Sequence, residues 1–244
     1  MERLNTLRMQ IAEQQSVKTA CWSCGSALSA GQPFCDACGK VQPPVSGVTY
    51  FDVFGLPKKL AIDASALEKV FYKLSRKLHP DVYARASEKE QQWSLDQTSL
   101  LNDAYRTLKN PITRTEYLLK LEGVEVEQDK PSEDGKKKES RMPPDLLEEV
   151  FELNMQLEEM RMNQKMGEDD PQLRQDLVKA KAQFEGQLAD ADAQLQSLWK
   201  EWDIALDSQN AAGQTATRDK MAALLDRRRY VRNLVRDVNE AVGA

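Results

Sequence analysis

The chain has 244 residues, enough for one or two small domains plus a module, and a net charge of −5. With 30% charged and 7% aromatic residues, 11 glycines and 10 prolines, it suits helices and few strands. The acidic balance argues against a protein that coats nucleic acid, and no run of 18 apolar residues offers a membrane span.

The N-terminus, MERLNTLRMQIAEQQ, sets Glu2 and Glu13 among Arg3 and Arg8. It lacks a secretory apolar stretch, and transit peptides are acid-poor. Residues 1–19 read as a short helix or a frayed tail. A cytoplasmic address follows most simply, with the mitochondrial matrix as the alternative.

All four cysteines come next, as Cys21-x-x-Cys24 and Cys35-x-x-Cys38, with Gly25 and Gly39 directly after each pair. Two thiolates at this spacing can grip one metal through a tight turn, and glycine permits the curl. Four thiolates without histidine favour structural Zn²⁺, with iron as the chemical rival and disulfides or free thiols as the non-metal reading. A closed four-ligand site leaves no place for a reactive water. The segment 20–44 is too small to bury a core, so metal would supply most of its folding free energy. It is expected to be a stabilised extension rather than a docking knob, with Trp22, Phe34 and Val41 as its apolar patch. Pro43, Pro44 and Gly47 are read as a hinge after it.

Tyr50–Pro57, YFDVFGLP, reads as a short aromatic helix closed by Gly55 and Pro57. In Leu67–Asp81, LEKVFYKLSRKLHPD, the residues Leu67, Val70, Phe71, Leu74 and Leu78 recur at helical steps and share one face. Lys69, Lys73, Arg76 and Lys77 take the other face. From Ala64 to Leu78 these four cations stand against Glu68, a net of +3 that runs against the sign of the whole chain. The residue before a proline is pushed out of the α region, so His79-Pro80-Asp81 ends the helix in an exposed loop. His79 is the only histidine, which excludes a histidine-based catalytic site elsewhere. A further helix ends in LLNDAYRTLKNP (Leu100–Pro111). Its Leu95, Leu101, Ala104, Tyr105 and Leu108 are expected to face back onto the Leu67–Leu78 helix as an antiparallel pair.

Short helix, basic helix, His-Pro-Asp loop and a helix bearing Asn-Asp-Ala-Tyr closely resemble the J-domain of DnaJ-type co-chaperones over about Tyr50–Pro111. Such domains bind DnaK-type chaperones and stimulate ATP hydrolysis there without being enzymes themselves. The resemblance implies that Lys69, Lys73, Arg76 and Lys77 meet an acidic surface of the ATPase. It also implies that His79, Pro80 and Asp81 reach the ATPase's interdomain linker region, with Asp81 as trigger.

Thr113–Leu121 reads as another helix, closed by Gly123. Its Arg114, Glu116, Tyr117, Leu118 and Leu119 resemble the HscB or Jac-type branch, co-chaperones of iron–sulfur cluster assembly. The stretch 127–144, with three prolines and one glycine among polar residues, reads as a linker. Three periodic segments follow. Leu146, Val150, Leu153, Leu157 and Met160 form the first stripe. Leu173, Leu177, Ala180, Phe184, Leu188, Ala191, Leu195, Leu198 and Trp202 form the second. Met221, Leu224, Arg228, Val231, Val235, Val238 and Val242 form the third, with Gly167 and Gly213 in the gaps. Burying the stripes gives a three-helix bundle. At about 100° per residue, Leu147, Phe151 and Met155 centre roughly 140° from the first stripe, and Tyr230 lies roughly 130° off the third. In HscB-type proteins a hydrophobic patch on this domain binds the scaffold protein, and the aligned positions are Leu147, Phe151 and Tyr230, with Met155 beside them.

The expected architecture is all-α: a J-domain hairpin (48–122), a linker (123–143) and a C-terminal three-helix bundle (144–244), with a small zinc-ribbon-like module (20–44). The resemblance implies a co-chaperone that carries an IscU-like iron–sulfur scaffold to an HscA-like chaperone, with no nucleic-acid or membrane partner. Three alternatives stand beside it. A J-domain adaptor for a different client would differ in its bundle surface. A nucleic-acid-binding zinc-ribbon protein would need cations in the ribbon, yet Cys21–Cys38 holds no Lys or Arg. A thiolate or zinc-water enzyme lacks an open coordination position.

Overall fold

The computed structural model describes residues 19–29, 31–124 and 144–243. Of the tail expected over 1–19 and the linker expected over 123–143, residues 1–18 and 125–143 lie outside the described residues. The chain divides into two compact units, Met1–Tyr117 and Leu118–Ala244. As expected, the fold is helical, with seven α-helices and one two-residue strand pair among the described residues.

The first unit opens with β1 (Thr19–Ala20) antiparallel to β2 (Ala27–Leu28), and Phe34 bridges to Val41. Helix α1 (Tyr50–Val53) starts on a capping box: Thr49 Oγ1 accepts from the Asp52 N–H, and the Asp52 carboxylate accepts from the Thr49 N–H. Asp63 caps α2 (Ala64–Leu78) by accepting from the Ser65 and Ala66 amides. A 3₁₀ turn spans Pro80–Tyr83, and α3 (Glu88–Lys109) begins on a Ser87–Glu90 capping box. Asn110 then caps α4 (Pro111–Leu121), which begins two residues before the expected Thr113. Proline's fixed φ suits the first helical position.

Helices α2 and α3 form the expected hairpin. Leu67 and Leu78 are buried on α2, and Leu101, Ala104 and Leu108 on α3. Phe71 stacks on Tyr105 with ring centroids 4.0 Å apart, and the Tyr105 hydroxyl donates to Glu68 Oε1. Two expected core residues are corrected, because Val70 and Leu95 are both exposed. Val70 lies about 70° off the centre of the other four α2 residues, and Leu95 about 140° off the buried row of α3. That row continues towards the N-terminus through buried Gln97, Ser94 and Glu90 instead.

Two of those polar side chains, Glu90 and Gln97, explain a second correction. Glu90 pairs with Lys40 of the cysteine module (Nζ–Oε1 2.8 Å), and Gln97 Nε2 donates to the Gln42 carbonyl (3.0 Å). Trp22 of the module meets Trp93 of α3 with ring centroids 5.4 Å apart. Gly31 sits at φ +73°, where an added Cβ would lie 2.8 Å from the Asp52 carbonyl carbon of α1. The module is therefore packed onto the hairpin, and the segment read as a hinge at 43–47 joins two parts already in contact.

In the second unit a 3₁₀ turn (Pro144–Leu146) leads into α5 (Leu147–Met166), followed by α6 (Pro171–Asp207) and α7 (Ala211–Val242). Asp170 and Asn210 cap the last two. Gly213, expected in the gap, lies inside the first turn of α7 and donates its N–H to Asn210 Oδ1. Leu146, Val150, Leu153, Leu157 and Met160 are buried as expected, against Leu173, Leu177 and Phe184 of α6 and Val231, Leu234 and Val238 of α7. The third stripe is corrected in part: Leu225 and Leu234 are fully buried and Leu224 only partly so, while Val235 packs half-buried against the core cluster. The buried face turns by about 100° between Thr217–Leu225 and Val231–Val238. Helix α5 shares its core cluster with the second of these halves.

Candidate functional site

Helix α2 ends where proline forbids its continuation. His79 takes φ −55° and ψ 130°, and Pro80 opens the 3₁₀ turn. At the tip, His79 Nδ1 accepts from the Asp81 N–H at 3.3 Å and lies 3.4 Å from Asp81 Oδ2. The His79 and Asp81 side chains are 57% and 90% exposed, so both face solvent as expected. Below the tip, Lys69, Lys73, Arg76 and Lys77 are all exposed, and the Lys77 ammonium lies 5.8 Å from the Phe34 ring centroid in the cysteine module. Tyr72 and Val70 on the same helix are exposed as well, and so is Val82 in the turn after the tip, so apolar groups that periodicity assigned to no role or to the core lie open along this region.

The base of the tip is held by a feature that sequence reading missed. The Leu78 carbonyl, last in the helix, accepts from the Ser94 hydroxyl at 2.6 Å and the Thr98 hydroxyl at 3.1 Å. Ser94 and Thr98 are one helical turn apart on α3, so both reach the same oxygen. A hydroxyl pair at i and i+4 on a core-facing row was the available signal.

The four cysteines converge. Cys21 and Cys38 Sγ lie 3.6 Å apart, as do Cys24 and Cys35, all four sulfurs lie within 4.8 Å of one another, and none is in a disulfide. A tetrahedral zinc with sulfur at about 2.3 Å has edges of about 3.8 Å, so the sulfurs are set to close on one ion. Two matching turns build the site: the Gly25 amide donates to the Cys21 carbonyl and the Gly39 amide to the Cys35 carbonyl, with φ +73° and +71°. The Ser23 amide and Gln42 Nε2 each donate to Cys21 Sγ at 3.4 Å. Burial raises the Cys21 thiol, but hydrogen bonds from the Cys24 and Ser23 backbone and from the Cys38 and Cys24 side chains pull it down to about 6. At Cys38 a backbone hydrogen bond at Lys40 acts downward, yet burial and the three neighbouring thiols push it up to about 11. The first thiolate thus opposes later ones, a conflict that a bound divalent cation relieves. The donor set fits a metal ion.

Beside the four cysteines, the Lys40 ammonium, and after it the Ser87 hydroxyl, hold the Glu90 carboxyl below its usual range against burial. Glu90 joins module and helix cap in one carboxylate.

On the bundle, Leu147, Phe151 and Met155 are exposed along one face of α5. The row continues through exposed Met162 and Met166, and Phe151, Met155, Met162 and Met166 line an open groove of about 540 Å³. Tyr230 is placed differently. It is half-buried and packs against the bundle core, and burial raises its phenol. The turn in the α7 stripe leaves Tyr230 about 70° from the buried face there, at its edge rather than opposite it.

No helix among the described residues is long and apolar enough to cross a membrane. A DnaJ domain model matches residues 49–117. The chain is 30% identical over 226 residues to the mouse iron–sulfur cluster co-chaperone protein HscB, covering 91% of this chain and 82% of that protein. It is 38% identical over 111 residues to a co-chaperone protein HscB homolog of Vibrio cholerae, covering 46% of this chain and 60% of that protein. The crystal structure of human co-chaperone protein HscB superposes with a TM-score of 0.58 at 23% identity, covering 91% of this chain and 98% of the other, which supports the fold. A DnaJ domain, a helical bundle after it and a mouse relative matched over most of its length together place this chain in the HscB family of iron–sulfur cluster co-chaperones.

Proposed function

We propose that this chain binds an iron–sulfur cluster scaffold protein and delivers it to a DnaK-type chaperone while stimulating that chaperone's ATPase. The observation that carries the reading is the exposed His79-Pro80-Asp81 tip at the end of a cationic helix. Lys69, Lys73, Arg76 and Lys77 steer encounter with an acidic surface, because scattered cations raise association rate more than affinity. The tip then makes the specific contact with the ATPase. Leu147, Phe151, Met155 and the edge of Tyr230 hold the scaffold through apolar burial. An adaptor holding both partners raises their effective concentration and ties hydrolysis to cargo arrival. The chain performs no chemistry of its own.

Cys21, Cys24, Cys35 and Cys38 hold one structural Zn²⁺, which supplies folding free energy to the module. Four reduced thiols suit a reducing compartment, the cytosol or a mitochondrial matrix. The test is a reconstitution with a purified DnaK-type ATPase and a purified scaffold. Stimulation by the chain, rising further when scaffold is added, supports the reading. An ATPase rate that does not respond to the chain at any concentration overturns it.

A further inference from the structure

We infer that Ser94 and Thr98 are positioning residues for the His-Pro-Asp tip; this rests on the tip being the ATPase-stimulating element. In a continuing helix the Leu78 carbonyl would accept from the amide of residue 82. Here the Val82 amide turns to the His79 carbonyl instead, because the chain has already left the helix. The Leu78 carbonyl is buried with its residue (1% exposed), so it needs donors from elsewhere. Ser94 Oγ (2.6 Å) and Thr98 Oγ1 (3.1 Å) supply them and occupy both of its acceptor sites.

The consequence is geometric. That carbonyl belongs to the peptide joining Leu78 to His79, so two converging hydroxyls fix the orientation of the peptide plane. The direction in which His79, Pro80 and Asp81 leave the helix is set by that plane. The imidazole–amide contact within the tip, His79 Nδ1 to the Asp81 N–H, spans only two residues and cannot orient the tip relative to α2. Glu68 bonds Tyr105 further down the hairpin, close to Phe71 on Tyr105, so the pairing of α2 with α3 does not depend on the two hydroxyls. The hydroxyls therefore aim the tip more than they hold the helices together.

The test uses the full chain with Ser94→Ala and Thr98→Val combined, each nearly isosteric, beside a rescue pair of Ser94→Thr and Thr98→Ser that keeps both hydroxyls. Expected for the first pair is about a tenfold loss of ATPase stimulation at limiting co-chaperone, equivalent to about 1.4 kcal/mol. Scaffold affinity stays within twofold, and the His79 imidazole and Asp81 amide resonances shift or broaden. The rescue pair restores stimulation. If wild type stimulates and the hydroxyl-free pair stimulates equally, the positioning role is overturned while the wider reading stands. If wild type fails to stimulate, the wider reading falls first. A hydroxyl-free pair whose scaffold binding and stimulation fall together through unfolding, with far-UV signal lost, also overturns the inference, because the hydroxyls then serve the fold.

Discussion

Truncating Phe151 to alanine separates binding from folding more cleanly than other changes on the bundle. Phe151 is 66% exposed, Leu147 56% and Met155 60%. A phenylalanine side chain offers about 200 Å². About 130 Å² of it is therefore open to a partner, and burying that area at about 25 cal/mol/Å² gives about 3 kcal/mol. Alanine keeps a fraction of this, so Phe151→Ala is expected to weaken scaffold binding by about 2 kcal/mol, or roughly thirtyfold in Kd. Because the side chain projects away from the core-bearing face, stability should stay within about 0.5 kcal/mol. Ile204→Ala is the control, since Ile204 is 68% exposed on α6 and has no assigned role. Calorimetric titration of purified scaffold into each variant, with thermal melts alongside, gives both numbers. A Kd for Phe151→Ala within threefold of wild type, or an equal loss in Ile204→Ala, would refute the patch.

Metal analysis of reduced protein should find about one zinc per chain, and chelation should change tryptophan fluorescence as Trp22 leaves Trp93; metal-free protein with the same spectrum would count against the site. Gly31→Ala should lower the melting temperature by several degrees, because a Cβ there meets the Asp52 backbone at 2.8 Å in a left-handed conformation; an unchanged melt would mean the module is not seated on α1. Glu90 has a depressed carboxyl in the folded chain, so its pair with Lys40 stabilises above the unfolded value of about 4.3 and is lost as pH falls through the lower folded value. The stability gap between wild type and Glu90→Gln should therefore be level from about pH 6 to 8 and close in more acidic solution; a gap that widens on acidification would contradict the pair. Tyr230→Ala, unlike Phe151→Ala, should lower both stability and scaffold affinity, as its ring packs on the bundle core; melts and titrations on the same sample decide it.

What the sequence disclosed depended on how locally each feature was encoded. The tip and the helix that bears it were legible because Pro80 and the Leu67–Leu78 spacing act within a few residues. The convergence of the four cysteines was legible because two Cys-x-x-Cys turns carry their sulfur geometry with them. The docking of their module was not, because the contacts join residues fifty or more positions apart: Lys40 to Glu90 and Gln42 to Gln97. Hydrophobic spacing on α3 points to Leu95, whereas the buried row is continued by Gln97, Ser94 and Glu90. Polar residues can fill core positions when each finds a partner, and periodicity in hydrophobicity does not register them. Tyr230 was misplaced for a related reason, since one helix served two packing surfaces and a single stripe cannot describe both.

The most direct measurement is ATPase stimulation by His79→Gln beside its scaffold affinity, in one preparation. His79 is exposed at the tip, on a different compact unit from the α5 face, so the two functions are expected to separate. Stimulation of the DnaK-type chaperone should fall to the unstimulated rate while the scaffold Kd stays within twofold of wild type. Stimulation that persists at the wild-type level would contradict the account.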